Sequence, residues 1–191
     1  MSKRRSRMIH WIRFISLSFF SMSFVFSLSA SEVLQKEISF FVDHPATDVV
    51  GICGDITHSP IQIKSTLKGY VLTKPFSVEV PLSQIKSGDN GRDDHIRQIL
   101  GAPEISSVEA TIDSVTLSGT GYSAQGKLKI KGVVKEFQAA LSVTPQDKDV
   151  IQVQGKTTVL FSDYSLENPS LLFWKAKDQI EVRFLFLIRA K

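Results

Sequence analysis

The sequence predicts an all-β fold: roughly eight antiparallel strands, closed as a barrel or stacked as a sandwich, with one short helix between strands. Three observations carry that prediction. Apolar residues recur with period two in short runs bounded by Gly, Pro, Asn, Asp and Ser. A single stretch changes to helical period, and no strand-helix-strand alternation of the kind that builds parallel sheets appears anywhere.

In chain order, Ile38, Phe40 and Val42 alternate with Ser39, Phe41 and Asp43 until His44-Pro45, and Asp48–Cys53 resumes an extended run. Lys68–Thr73 and Phe76–Val80 read as a hairpin turning at Lys74-Pro75. In its second arm Phe76, Val78 and Val80 oppose Ser77 and Glu79, and Pro81 closes the strand. Ser87-Gly88-Asp89-Asn90-Gly91 is a turn cluster, after which Arg92, His95, Ile96 and Ile99 fall at i, i+3, i+4 and i+7, flanked by Leu100. This predicts a helix over residues 92–100. Asp89 or Asn90 suits its N-cap, Asp93 and Asp94 suit the positive end of its dipole, and Gly101 with Pro103 stops it.

Beyond the helix, Val108, Ala110 and Ile112 alternate with acids and threonine, Val115 and Leu117 continue the pattern, and Ser118–Gly121 is a turn. Leu128 and Ile130 then oppose Lys127, Lys129 and Lys131, the cleanest alternation in the chain, ending at Gly132. Phe137, Ala139, Leu141 and Val143 share a face, and Pro145–Asp149 is a polar turn. Ile151, Val153, Val159 and Phe161 form a strand around Gly155. A long connection, Ser162–Lys177, contains Leu171-Leu172-Phe173-Trp174, and Ile180, Val182, Phe184, Phe186 and Ile188 close the chain.

Charge divides the sequence. Overall the net charge is +4 with a pI near 9.2, yet Met1–Arg13 alone carries Lys3, Arg4, Arg5, Arg7 and Arg13 and no acid. Phe14–Ser29 is apolar with interspersed serines, and Ser27, Ser29 and Ala30 offer small residues for cleavage. Residues 1–30 therefore read as a secretory signal peptide, the alternative being a retained N-terminal anchor. They hold five of the 23 Lys+Arg and none of the 19 Asp+Glu, so residues 31–191 carry 18 cations against 19 anions, net −1. A domain of that composition has no overall electrostatic affinity for nucleic acid or for acidic membrane surfaces, and 161 residues suit one domain with a real core. The single cysteine, Cys53, excludes an internal disulfide. Its apolar setting, Val49–Gly54, reads as a buried inert thiol in preference to a reactive one.

Catalytic constellations do not assemble. His44, His58 and His95 are the histidines outside the leader, and no His-x-x-x-His or Cys-x-x-Cys spacing exists, so no metal site is expected. No nucleophile elbow is present. Arg92 and Asp93 open a helix where local pairing accounts for both, while His95, on the Ile96 and Ile99 side, is placed to reach a cavity mouth. The strand faces are richer in Phe, Val, Leu and Ile than a small barrel needs, which suits an ordinary packed core or a lumen for a long hydrocarbon.

One combination of motifs separates these readings. Phe76, Val78, Val80, Pro81 and Leu82, then Ser87, Gly88, Arg92, Asp93, His95 and Ile96, then Gly126, Leu128, Ile130 and Gly132 spell F-x-V-x-V-P-L, S-G-x-x-x-R-D-x-H and G-x-L-x-I-x-G. This pattern resembles the YceI-like family of extracytoplasmic polyisoprenoid-binding proteins, across essentially the whole chain after the leader. The chain departs from it at Leu100–Ile105, where related chains have an aromatic or acidic stretch followed by Tyr-Pro, and at Phe161–Ser165, which has no arginine before its turn. The resemblance implies a lipocalin-like barrel over residues 31–191, non-enzymatic and without a cofactor. It also implies a secreted or periplasmic location after signal-peptide cleavage, and a polyisoprenoid or similar long-chain amphiphile in the lumen for carriage or sequestration.

The expected lining is Phe40, Val42, Phe76, Val78, Val80, Ile96, Leu128, Ile130, Phe137, Leu141, Phe184 and Phe186, with His95 and Arg92 at the head-group end. Such a protein touches membranes transiently and leaves room for a homodimer. The competing reading is an envelope interaction module with a filled core acting through the Leu171–Trp174 loop. A third gathers His44, His58 and His95 around a metal or haem.

Overall fold

Period-two alternation becomes strands much longer than the apolar runs that announce them. The computed structural model describes residues 30–171 and 174–190, with only the backbone of Leu171. The expected signal peptide, apart from Ala30, lies outside these residues, as do Leu172 and Phe173 of the proposed interaction loop. The described elements are β1 (Glu32–Val42), β2 (Val49–Cys53), β3 (Thr57–His58), β4 (Ile63–Thr66), β5 (Gly69–Leu72) and β6 (Phe76–Pro81). The helix α1 (Asn90–Ile99) follows, then β7 (Ser107–Ser118), β8 (Gly121–Ile130), β9 (Val133–Asp147), β10 (Val150–Val159), β11 (Ser170–Leu171), β12 (Trp174–Lys175) and β13 (Ile180–Arg189). Among the described residues no helix is long and apolar enough to cross a membrane.

Nine strands form one antiparallel sheet in the order β2-β1-β13-β10-β9-β8-β7-β6-β3. It curls into a lipocalin-like barrel that is incomplete on one side. There the outer edge of β2 meets the chain just beyond β6 through a single bridge, Ile52 N–H to Lys86 O at 2.8 Å and Lys86 N–H to Ile52 O at 3.0 Å. The two remaining pairs, β4 with β5 and β11 with β12, are small separate sheets.

Three expectations are corrected. The predicted hairpin across Lys74-Pro75 does not form: β5 pairs with β4, Ile63 opposite Leu72, whereas β6 pairs with β3 and β7. Ile63 and the Thr66–Gly69 turn provide a nearer partner, and Pro75, lacking an N–H, suits the crossover between two sheets. Pro145 lies within β9 rather than in a turn. It pairs with Ile151 beside a register shift at Val150/Ile151, the irregular position at which a strand tolerates proline. Phe161 is not in β10, which ends at Val159; it is buried where the chain bends into the short 3-10 turn Ser162–Tyr164.

The helix begins as its caps dictate, with the Asp89 carboxylate accepting from the Arg92 backbone N–H at 2.7 Å. Asp93 is buried and accepts from both the Ser87 N–H (2.7 Å) and the Ser87 hydroxyl (2.6 Å). That hydroxyl accepts in turn from Arg92 Nε at 2.9 Å, and the Ser87 carbonyl accepts from the Arg92 guanidinium at 2.6 Å. Ser87, Arg92 and Asp93 thus tie α1 to the loop that forms the barrel's seam, which is the helix-fixing role expected for the Arg-Asp pair. The Ser87 hydroxyl, more than the opposing effect of burial, holds the Asp93 carboxyl below the ordinary carboxylate range.

A folded-state pKa below the unfolded value near 3.9 means that Asp93 stabilises the fold above about pH 4 and that this contribution disappears as the pH falls through the depressed pKa. Acid titration of the wild type against Asp93→Asn should show this: the variant loses part of the stability decline below about pH 4. Ser87→Ala, which deletes two side-chain hydrogen bonds, both of them charge-assisted, should lower stability by about 2 kcal/mol or more in chemical denaturation at neutral pH.

Gly126 marks the tightest contact in the wall. It pairs with Ile112 beside a bulge in β7, and a Cβ built on it would stand 2.0 Å from the Thr111 carbonyl oxygen. Gly132, at φ +80, completes the two-residue turn Lys131-Gly132 between β8 and β9. Two of the motif's glycines are thereby explained by backbone geometry alone.

Candidate functional site

The inward faces of the barrel enclose a cavity of about 480 Å³ that runs between its two ends. Its walls are aliphatic and aromatic along the whole length, with Ile38, Phe40, Val78, Leu128, Phe137, Val153 and Phe184 among them. One end is covered by α1 and by the buried group of Val42, Ile99, Ile130, Val159, Phe161, Tyr164 and Leu166. At the other end Ile61, Ile63, Tyr70 and Leu72, around and within the β4–β5 hairpin, pack with Val78, Ile151, Phe186 and Ile188.

All fourteen residues expected to form the site border this cavity. Val42, Val78, Ile130, Leu141 and Phe186 are buried in the packed wall. Phe40, Phe76, Val80, Ile96, Leu128, Phe137 and Phe184 are half-buried and face the open space. Two of the phenylalanines gain their room from glycines on the neighbouring strand. Phe40 pairs with Gly51, where a Cβ would meet its ring at 2.2 Å, and Phe184 pairs with Gly155, where a Cβ would meet its ring tip at 2.7 Å. Each ring lies across the spot a side chain would otherwise occupy.

Polar groups concentrate at the helix end. His95 is exposed and borders the cavity, so it stands at the mouth, and Arg92 borders it while two of its nitrogens are committed to Ser87. Sequence reasoning missed His44 and Thr47, which also border the cavity from the β1–β2 turn. The antiparallel bridge at Ile52 and Lys86 brings that turn to the same end as the start of α1, a relation that period two does not encode. His44 is buried with Nδ1 accepting from the Ala46 N–H at 3.1 Å, which places its proton on Nε2. Tyr70 and Tyr122 at the opposite end were missed for the same reason: the Tyr122 hydroxyl accepts from the Tyr70 N–H at 3.0 Å across 52 residues.

Cys53 lines the cavity at 4% exposure, and burial, reinforced by Asp55, pushes its thiol pKa up, so it is the protonated thiol at neutral pH. The gathering of His44, His58 and His95 that the third reading required does not occur; His58 is engaged with the Ser59 carbonyl at 3.0 Å, and among the described residues no three His, Cys, Asp or Glu side chains converge as metal ligands. Trp174, on the short β11–β12 hairpin, is 56% exposed.

A YceI-like domain profile matches residues 32–187, from the start of β1 to within β13. The chain belongs to the YceI-like family. Solved structures agree with the family fold at low sequence identity. A polyisoprenoid binding domain from Saccharophagus degradans implicated in plant cell wall breakdown superposes with a TM-score of 0.62 at 15% identity, over 86% of this chain and 99% of that one. The Burkholderia cenocepacia protein BcnA gives 0.62 at 16% identity, covering 80% and 95%. The Campylobacter jejuni YCEI protein gives 0.64 at 17% identity, covering 76% and 86%. Among curated proteins no relative matches the chain in sequence. At these identities the structures speak for the fold, and the lumen's chemistry is argued from the YceI-like chain itself.

Proposed function

We propose that this YceI-like protein is a non-enzymatic binding protein that holds a polyisoprenoid, or a comparable long apolar chain, in the barrel lumen, and that it acts outside the cytoplasm after removal of residues 1–30. The observation that carries the reading is the cavity: about 480 Å³, within the range of small-molecule sites, and walled almost wholly by hydrocarbon, with a few polar groups gathered at the helix end. Such a wall offers dispersion and exclusion of water but almost no hydrogen bonds, so it selects length and apolarity rather than a pattern of polar groups. A head group would sit at the helix end, beside His95, Arg92, His44 and Thr47, where the polar lining lies. The polyisoprenoid binding domain of the Saccharophagus protein, which shares the fold, supports the same class of ligand.

Magnitudes narrow the mechanism. Each methylene removed from water contributes about 0.8 kcal/mol, so each five-carbon prenyl unit contributes about 4 kcal/mol relative to water. A bilayer is as apolar as the lumen, so transfer from membrane to protein is close to balanced and the bound chain can be delivered again. Carriage or sequestration follows from this balance.

Native mass measurement of soluble exported protein, followed by denaturing organic extraction and lipid mass analysis, tests the reading. A stoichiometric extra mass that extracts as a prenyl-type chain is expected. A bare mass in folded protein that has been offered prenyl chains would overturn it.

A further inference from the structure

The β4–β5 hairpin stands apart from the rest of the molecule in three ways. It belongs to no part of the nine-stranded sheet, and its link to the opposite wall is the Tyr70 N–H to Tyr122 hydroxyl bond of 3.0 Å. It also covers the end of the cavity away from α1: Ile63, Tyr70 and Leu72 face inward, while Val71, which borders the cavity, is itself 44% exposed, so at this end a single layer of chain separates the cavity from the surface. At its tip Leu67 projects fully into solvent, and the exposed Leu117 of β7 lies alongside. No fold requirement explains a bare leucine at a turn.

Charge says what covers this tip. Residues 31–191 are net −1, yet between Asp55 and Glu79 there is no carboxylate at all and there are three lysines, Lys64, Lys68 and Lys74. All three are exposed, and none is among the ion pairs of the described residues. The adjoining β7–β8 turn, Ser118–Gly121, is uncharged. Lys64 lies directly across from Val71 on the outer face of the hairpin. Cations flanking an exposed apolar tip fit the boundary between anionic head groups and acyl chains.

We propose that the β4–β5 hairpin is a docking surface for an anionic lipid bilayer, with Leu67 seated among the acyl chains and Lys64, Lys68 and Lys74 on the head groups. Docked this way, the hairpin end of the cavity faces the membrane, and displacement of the hairpin would let an apolar chain pass between lumen and bilayer without crossing water. Docking itself needs no cargo; its meaning as a portal rests on the carrier reading above.

Soluble exported protein is sedimented with vesicles of phosphatidylglycerol and phosphatidylcholine, and with phosphatidylcholine alone. The wild type should bind the mixed vesicles, should not bind the neutral ones, and should be released by concentrated salt, where the Debye length shrinks to about 3 Å at 1 M. Replacing the three lysines together (K64Q, K68Q and K74Q) should weaken binding roughly a hundredfold, at about fivefold per lysine, and Leu67→Ser about tenfold. Both changes lie on exposed positions outside the cavity wall, so the variants should keep the wild-type melting temperature.

Equal binding by the lysine variant, or no binding of the wild type to anionic vesicles at low salt, would overturn the proposal. So would a dimer in the native mass that Leu67→Ser converts to monomer without any vesicle binding, because the tip then seats a second copy. Lipid extraction from the same preparations separates the two readings. Prenyl-loaded protein that ignores vesicles overturns docking and leaves the carrier standing. Vesicle binding by protein that takes up no prenyl chain supports docking and overturns the carrier.

Discussion

Ala110→Phe will leave a folded barrel that carries no prenyl chain. Ala110 sits in mid-wall, paired with Val78 on one side and Leu128 on the other, and all three border the cavity. Ala110 borders the cavity, so a phenyl ring at this position would extend into the lumen. The ring buries apolar surface that the lumen would otherwise leave to ligand, a gain of about 1–2 kcal/mol in the empty protein. The same ring occupies the path of an extended chain, and binding should fall by at least a hundredfold. Paired measurements of melting temperature and extracted lipid decide the matter. An unchanged lipid content in folded Ala110→Phe protein would show that the ligand lies elsewhere.

The second large effect is on the fold. Gly126→Val will destabilise the protein by more than about 3 kcal/mol, because the new Cβ would stand 2.0 Å from a backbone oxygen at a bulge and strands β7 and β8 would have to separate. Gly132→Ala is the informative comparison. It places a methyl in open space but at φ +80, so it costs only the left-handed backbone, about 1 kcal/mol. Urea midpoints in that order, wild type above Gly132→Ala above Gly126→Val, test whether the two glycines of the family motif serve these two separate ends. A reversed order would refute the assignment.

The two perturbations probe different parts of one design. The wall must be tight where strands cross and open where they face the lumen. Glycine supplies both, by letting backbones approach at Gly126 and by letting rings lie flat at Gly51 and Gly155. At the helix end the chain Arg92, Ser87, Asp93 fixes α1 against the seam. The hairpin end, by contrast, is held by the apolar packing of Ile63, Tyr70 and Leu72 and by a bond to one tyrosine hydroxyl, with no comparable polar network. Asymmetry of this kind suits a lumen that is fastened at one end and loaded at the other.

Much of this was legible in the chain by itself. Alternation placed every long strand, since a one-residue slip would turn a whole apolar face to water, and Asp89 followed by Asp93 and Asp94 located the helix. Because the same alternation points strand side chains inward, and the helical period puts Arg92, His95 and Ile96 on one side of α1, the expected lining and the cavity wall coincide at all fourteen positions. What period two cannot express is which strand lies beside which. The sequence therefore paired β5 with β6, where the fold pairs it with β4. It likewise gave no hint of His44 and Thr47 at the helix mouth, or of Tyr122 reaching back 52 residues to Tyr70. Whether the apolar faces close on themselves as a core or stand apart around a lumen was also left to the tertiary structure. The same side chains satisfy either arrangement, and it is the curvature of the sheet, with the Phe40 and Phe184 rings laid against Gly51 and Gly155, that leaves about 480 Å³ open between the walls.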